Sequence, residues 1–122
     1  MLTTALICSM SMFITCNTQP IEEVRTVTAY NLVESQCDDT PTIGAFNENL
    51  QVALNRGESL CAANFVPKDT ILHIEGWGAC RVSDRTSRKY GQRVDLLFER
   101  YGDAINFGKQ RLKVKYSKLK TI

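Results

Sequence analysis

Apolar residues in this chain recur mostly at every second position in short runs, and no segment sustains the three-and-four spacing of a long amphipathic helix. Val24 to Tyr30 (VRTVTAY) is rich in β-branched and aromatic residues and ends at Asn31, which predicts a first strand. Residues 31–49 hold Asp38-Asp39-Thr40-Pro41 and Gly44, a turn-rich composition that predicts a long loop. A short strand is expected at Gln51 to Leu54, then a helical turn within Arg56 to Asn64, ahead of Pro67. Ile71 to Glu75 alternates, with Leu72 and Ile74 on one face and His73 and Glu75 on the other. A Gly76-Trp77-Gly78 turn leads into a strand that stops at Asp84. After a basic, polar loop comes a strand over Arg93 to Phe98. Tyr101 to Phe107 suits a short helix stopped by Gly108. Arg111 to Tyr116 alternates strictly, with Leu112, Val114 and Tyr116 facing inward and a basic face outward. Six short strands with one or two short helices form an all-β protein, and a small closed barrel best removes the exposed strand edges.

The length of 122 residues allows one domain. A content of 43% apolar and 23% charged residues fits a globular fold. The net charge of +2 is too small to imply a nucleic-acid binder, although six basic residues and no acidic one follow Gly108. That basic face is either an exposed strand guarded against edge pairing or a cation patch for anionic wall polymer or membrane lipid. No charge precedes Glu22. Residues 1–21 therefore read as a leader and 22–122 as the domain. The leader is an ordinary export signal, a lipid anchor with Cys16 in Phe13-Ile14-Thr15-Cys16 as the acylated residue, an uncleaved anchor, or a plain N-terminal extension. The first three place the protein outside the cytoplasm, with membrane attachment through this segment in two of them. Cys8 and Cys16 fall in the leader, and Cys37, Cys61 and Cys80 in the domain. One disulfide among the latter three is expected on export, with the pair left open. The cysteine spacings fit no zinc pattern and His73 is the single histidine, so neither a metal site nor a cofactor is expected.

The candidate chemistry lies in Asp84 and Asp95. They stand at the ends of strands consecutive in sequence, with Val82 before the first and Val94, Leu96, Leu97 and Phe98 around the second. A carboxylic acid in apolar surroundings beside another is a candidate general acid, because desolvation and like charge both disfavour its ionised form. Trp77 between glycines offers either a stacking plate for a sugar or a cap for the core.

Several pieces in fixed order carry a resemblance: Thr28-Ala29-Tyr30, Asp38-Asp39-Thr40-Pro41, Val52-Ala53-Leu54, Ile74-Glu75-Gly76-Trp77-Gly78, Asp84, Gly91-x-Arg93-Val94-Asp95, and Val114-Lys115-Tyr116. Together they resemble the bacterial and phage three-aspartate domain, which is similar to the catalytic barrel of the membrane-bound lytic transglycosylase A family. The likeness covers about Thr26 to Tyr116. It implies a six-stranded double-psi β-barrel and cleavage of the β-1,4 bond between N-acetylmuramic acid and N-acetylglucosamine in peptidoglycan, leaving a 1,6-anhydro end. The implied partner is a peptidoglycan glycan strand bound by a monomer, with no nucleic acid.

The resemblance implies Asp95 as proton donor and acceptor, with Asp84 raising or orienting it. Tyr30, Asn55, Trp77, Gly91 and Arg93 become the expected substrate-binding residues. The chain departs from the family at Asn55, where the first of three aspartates would stand, at Gly44, where a threonine is usual, and at Cys61. With one acid replaced by an amide, activity is expected to shift toward acid pH. The alternative is an inactive glycan-binding barrel, as expansin-like modules resemble.

Overall fold

The computed structural model describes residues 18–32 and 44–119. Residues 1–17 of the expected leader, with Cys8 and Cys16, and the expected loop residues Cys37 and Asp38 to Pro41 lie outside the described residues, whereas the last four of that leader, Thr18 to Ile21, are within them. Six strands are present among those described: β1 (Thr18–Asn31), β2 (Leu60–Ala63), β3 (Ile71–Ile74), β4 (Gly78–Asp84), β5 (Val94–Phe98) and β6 (Gln110–Leu119). Two short helices join them, α1 (Leu50–Asn55) and α2 (Tyr101–Phe107), with a single 3-10 turn over Arg88–Tyr90.

The strands close a barrel in the order β1-β5-β2-β4-β3-β6. Replacing each strand by the one three places along, with β4 to β6 returning to β1 to β3, reproduces this order. The pairings respect the same exchange: β1–β5 and β2–β4 are parallel, while β1–β6 and β3–β4 are antiparallel. The β2–β5 and β3–β6 pairs, which the exchange maps onto themselves, are both antiparallel. A closed six-stranded barrel with this internal twofold is the double-psi arrangement. Closure leaves no unpaired sheet edge.

Inside, alternate residues of every strand meet: Val27, Cys61, Ala63, Leu72, Ile74, Cys80, Val82, Val94, Leu96 and Val114 are all buried. Cys61 and Cys80 form a disulfide at the centre of this core. The barrel is plugged at the two ends of β5. At one end the buried Arg25 stacks over the Phe65 ring at 3.6 Å and donates to Glu23 and Gln92. At the other, Trp77 packs on Phe98 and Phe107 at 4.9 and 6.0 Å between ring centroids.

Two elements differ from expectation. Residues 51–54 are helical within α1, because Asn49 caps its start by accepting from the Val52 N–H at 3.0 Å. The helix then buries Leu50 and Ala53, three residues apart, on one side. Leu60–Ala63, predicted inside a helical turn, is strand β2. All four of its residues are buried, so it shows a continuous apolar run and no alternation. β1 also starts at Thr18, ahead of the predicted Val24, since residues 18–27 pair along the whole of β6.

Candidate active site

A second, smaller apolar cluster lies on the outside of the barrel, where α1 covers β1, β2 and β5 through Leu32, Leu50, Ala53, Leu60 and Leu97, with Tyr30 and Leu54 at its margin. Next to it runs a row of residues in register across four strands. Thr28 on β1 pairs with Asp95 on β5, Asp95 with Ala62 on β2, and Ala62 with Asp84 on β4. The two aspartates therefore flank Ala62, a small residue that is itself buried. Two inter-strand steps set their Cα atoms about 10 Å apart.

A β-bulge makes this row. The register between β2 and β4 shifts after the Cys61–Val82 pair, so that Asp84 and not Ser83 stands opposite Ala62. In a regular ladder Asp84 would share the face of Val82 and point into the core. The extra residue turns it outward.

Asp84 is held by three donors. Its Oδ1 accepts from the backbone N–H groups of Ala45 and Arg85 at 2.6 and 2.8 Å, and its Oδ2 accepts from the Tyr30 hydroxyl at 3.4 Å. Among the described residues no lysine or arginine side chain pairs with it; the Arg85 guanidinium turns away to the carbonyls of Ala63 and Val66, both at 2.6 Å. Gly44 allows the first of these contacts. A Cβ there would stand 3.0 Å from the Ser83 carbonyl oxygen and 3.4 Å from Asp84 Cγ, so a side chain would lift the segment that brings in Ala45.

Asp95 accepts from the Thr28 hydroxyl at 2.9 Å. The sequence placed it among Val94, Leu96 and Phe98, but strand alternation turns those three side chains into the barrel. Across the strands it stands beside Thr28 and Ala62, and of the four apolar residues around it in sequence only Leu97, in the outer cluster, shares its strand face. Nor do the strands of the two aspartates touch: β2 lies between β4 and β5. Burial pushes the Tyr30 phenol well above its ordinary pKa, and the charges of Asp84 and Asp95 push it further. Tyr30 is thus a hydrogen-bond donor throughout the neutral range.

The expected site residues fall in four places. Tyr30, Asp84 and Asp95 come together. Gly91 and Arg93 line an adjacent cavity of about 370 Å³ with Thr26, Lys89, Tyr90 and Arg111. Asn55 ends α1, exposed, and accepts from the Gln51 amide at 3.0 Å. Trp77 closes the barrel end against Phe98 and Phe107 while staying 40% exposed. Thr28, Ala62 and the Ala45 N–H belong to the site and escaped the sequence reading. The available signal for Thr28 was its position two residues before Tyr30, on the same strand face. Among the described residues no group of three or more His, Cys, Asp or Glu side chains is placed to hold a metal ion.

Compared with models of known protein families and with curated proteins, the chain matches none.

Proposed function

We propose that the chain is a three-aspartate-type lytic transglycosylase, a carbon–oxygen lyase acting on peptidoglycan. The observation that carries this reading is the row Thr28–Asp95–Ala62–Asp84, in which two partly exposed carboxyl groups flank a small residue on the outer face of the barrel. Asp95 gives its proton to the glycosidic oxygen as the bond from C1 of N-acetylmuramic acid breaks. The C6 hydroxyl oxygen of the same sugar then closes on C1, and its proton returns to the Asp95 carboxylate. The bond made replaces the bond lost, and no water is consumed. Asp84, fixed by two N–H groups and Tyr30, supplies negative charge facing the cationic sugar ring of the transition state. The core disulfide supports an oxidising compartment, and so export.

A second reading is a glycan-binding barrel without catalysis. It is favoured by Asn55, which stands where the family has an acid and bonds within its own helix.

One experiment separates the two. The full chain is incubated with peptidoglycan and the soluble products are examined by mass spectrometry. The enzyme releases anhydromuropeptides, none with Asp95→Asn and roughly 10²-fold fewer with Asp84→Asn. Products with free reducing ends indicate a hydrolase instead. Capture of the chain on the polymer with no release of fragments identifies the binding module.

A further inference from the structure

The cavity beside the aspartate row has a charge pattern that proton transfer does not use. Four cationic side chains line it, Arg25, Lys89, Arg93 and Arg111, against one carboxylate, Glu23. That carboxylate is already engaged by the Tyr116 hydroxyl at 2.7 Å and by Arg25 at 2.9 Å. Among the described residues, Lys89, Arg93 and Arg111 pair with no carboxylate, so three positive charges face the cavity uncompensated.

Two of them are also held in place. The Arg93 guanidinium stacks over the Tyr90 ring at 3.8 Å, and Arg111 Nη1 donates to the Thr26 hydroxyl at 3.1 Å. Ring stacking and one fixed hydrogen bond leave the remaining N–H groups free to point at a ligand, with little rotamer freedom left to lose. Lys89 Nζ lies over the same Tyr90 ring, 5.1 Å from its centroid. Planar guanidinium groups held this way match the geometry of a carboxylate or phosphate, which they bind through paired hydrogen bonds.

The cavity continues the row. Arg93 lies two residues before Asp95 on the chain entering β5, and Thr26 two residues before Thr28 on the parallel neighbour β1. That spacing is about 7 Å along the strands. A ligand whose bond is broken at Asp95 therefore passes the cations within one sugar or peptide unit.

We propose that this cavity is an oxyanion subsite, taking a carboxylate or phosphate group carried by the ligand that lies over Asp95. As part of a glycan site it rests on the function proposed above; as an oxyanion pocket it does not.

Both levels are tested separately. The isotope-labelled full chain is titrated with inorganic phosphate and with glutarate while its amide and arginine side-chain signals are followed. The shifts concentrate at Thr26, Tyr90, Gly91, Arg93 and Arg111, and the better of the two anions names the preferred group. Arg93→Gln with Arg111→Gln weakens binding at least tenfold, whereas Lys113→Gln with Lys115→Gln, on the strand face outside the cavity, leaves it unchanged. Should the double arginine variant fail to fold, Lys89→Gln and added salt serve instead, since exposed charges are largely screened beyond about 3 Å at 1 M. Shifts spread over the β6 lysines, or affinity unchanged in every cavity variant, overturn the pocket.

The second arm uses the Asp95→Asn chain with muramyl glycan fragments, with their peptide stems and without them, the lactyl carboxyl of the stem-free fragments being capped as an amide. The stem carboxylates raise affinity tenfold or more, and the gain disappears with Arg93→Gln. Equal binding of both fragments overturns the link to the glycan. Binding of neither overturns the glycan reading itself, and the small-anion titration then judges the pocket alone.

Discussion

Tyr30 shows how one hydroxyl reports on two carboxyl groups. Its proton is held by burial and by the charges of Asp84 and Asp95. The folded pKa is raised above the unfolded value of about 10, so the stabilisation is complete below pH 10 and fades as pH rises through the folded pKa. Tyr30→Phe should remove about 0.5–1.5 kcal/mol at pH 7, the net worth of one hydrogen bond. It should also flatten the loss of stability above pH 10, which denaturant titrations at pH 7 and pH 11 would measure. A variant as alkali-sensitive as the parent contradicts the raised phenol. Gly44 is the other residue on which Asp84 depends. Gly44→Ala places a methyl group 3.0 Å from the Ser83 carbonyl oxygen. The segment must shift, and the Ala45 N–H signal, displaced downfield by its 2.6 Å hydrogen bond, should move back toward the ordinary amide range.

Among the elements, α1 depends on its cap as well as on its packed face, since a six-residue helix has little stability of its own. Asn49→Ala leaves the Val52 N–H without its side-chain acceptor and should cost about 1 kcal/mol in chemical denaturation. Asn49→Ser should recover most of it. The same helix shows why some elements were legible in the sequence and others were not. Leu72 and Ile74, or Val114 and Tyr116, announce strands because one face is wet and the other dry. Gln51 to Leu54 is too short for either period to dominate, and its fate is set by Asn49 outside the run. Leu60–Ala63 is covered on both faces, by the core and by α1, and that double burial erases the alternation. At the site, Asp84 and Asp95 were readable as strand-end acids. The bulge that turns Asp84 outward, and the strand that separates it from Asp95, are tertiary facts with no local trace in the residues between them.

At the scale of the whole barrel, the segments around the site are tied to the scaffold by one cation. Arg81 on β4 donates to Glu48 ahead of α1 at 2.6 Å, to Glu58 ahead of β2 at 2.8 Å and to Asp69 ahead of β3 at 2.8 Å. Three approaches to the barrel thus converge on one partly buried guanidinium. The hydrogen bonds of Arg56 and then of Arg81 hold the Glu58 carboxyl below its ordinary range, and those of Arg81, with Lys68, do the same for Asp69. Lowered folded pKa values contribute stability above the unfolded values of about 4, and lose it as pH falls through the folded ones. Arg81→Gln removes the one cation that the three carboxylates share. At pH 7 it leaves carboxylates facing one another with only exposed cations nearby, whereas once acid has protonated Glu58 and Asp69 the substitution removes only hydrogen bonds from a cation to uncharged carboxyl groups. The drop in thermal midpoint caused by Arg81→Gln should therefore be larger at pH 7 than at pH 2, and should shrink across pH 5 to 2. Scanning calorimetry of both proteins over that range checks it. A penalty that stays constant with pH would mean that Arg81 acts through packing alone and that its carboxylates are not coupled to folding.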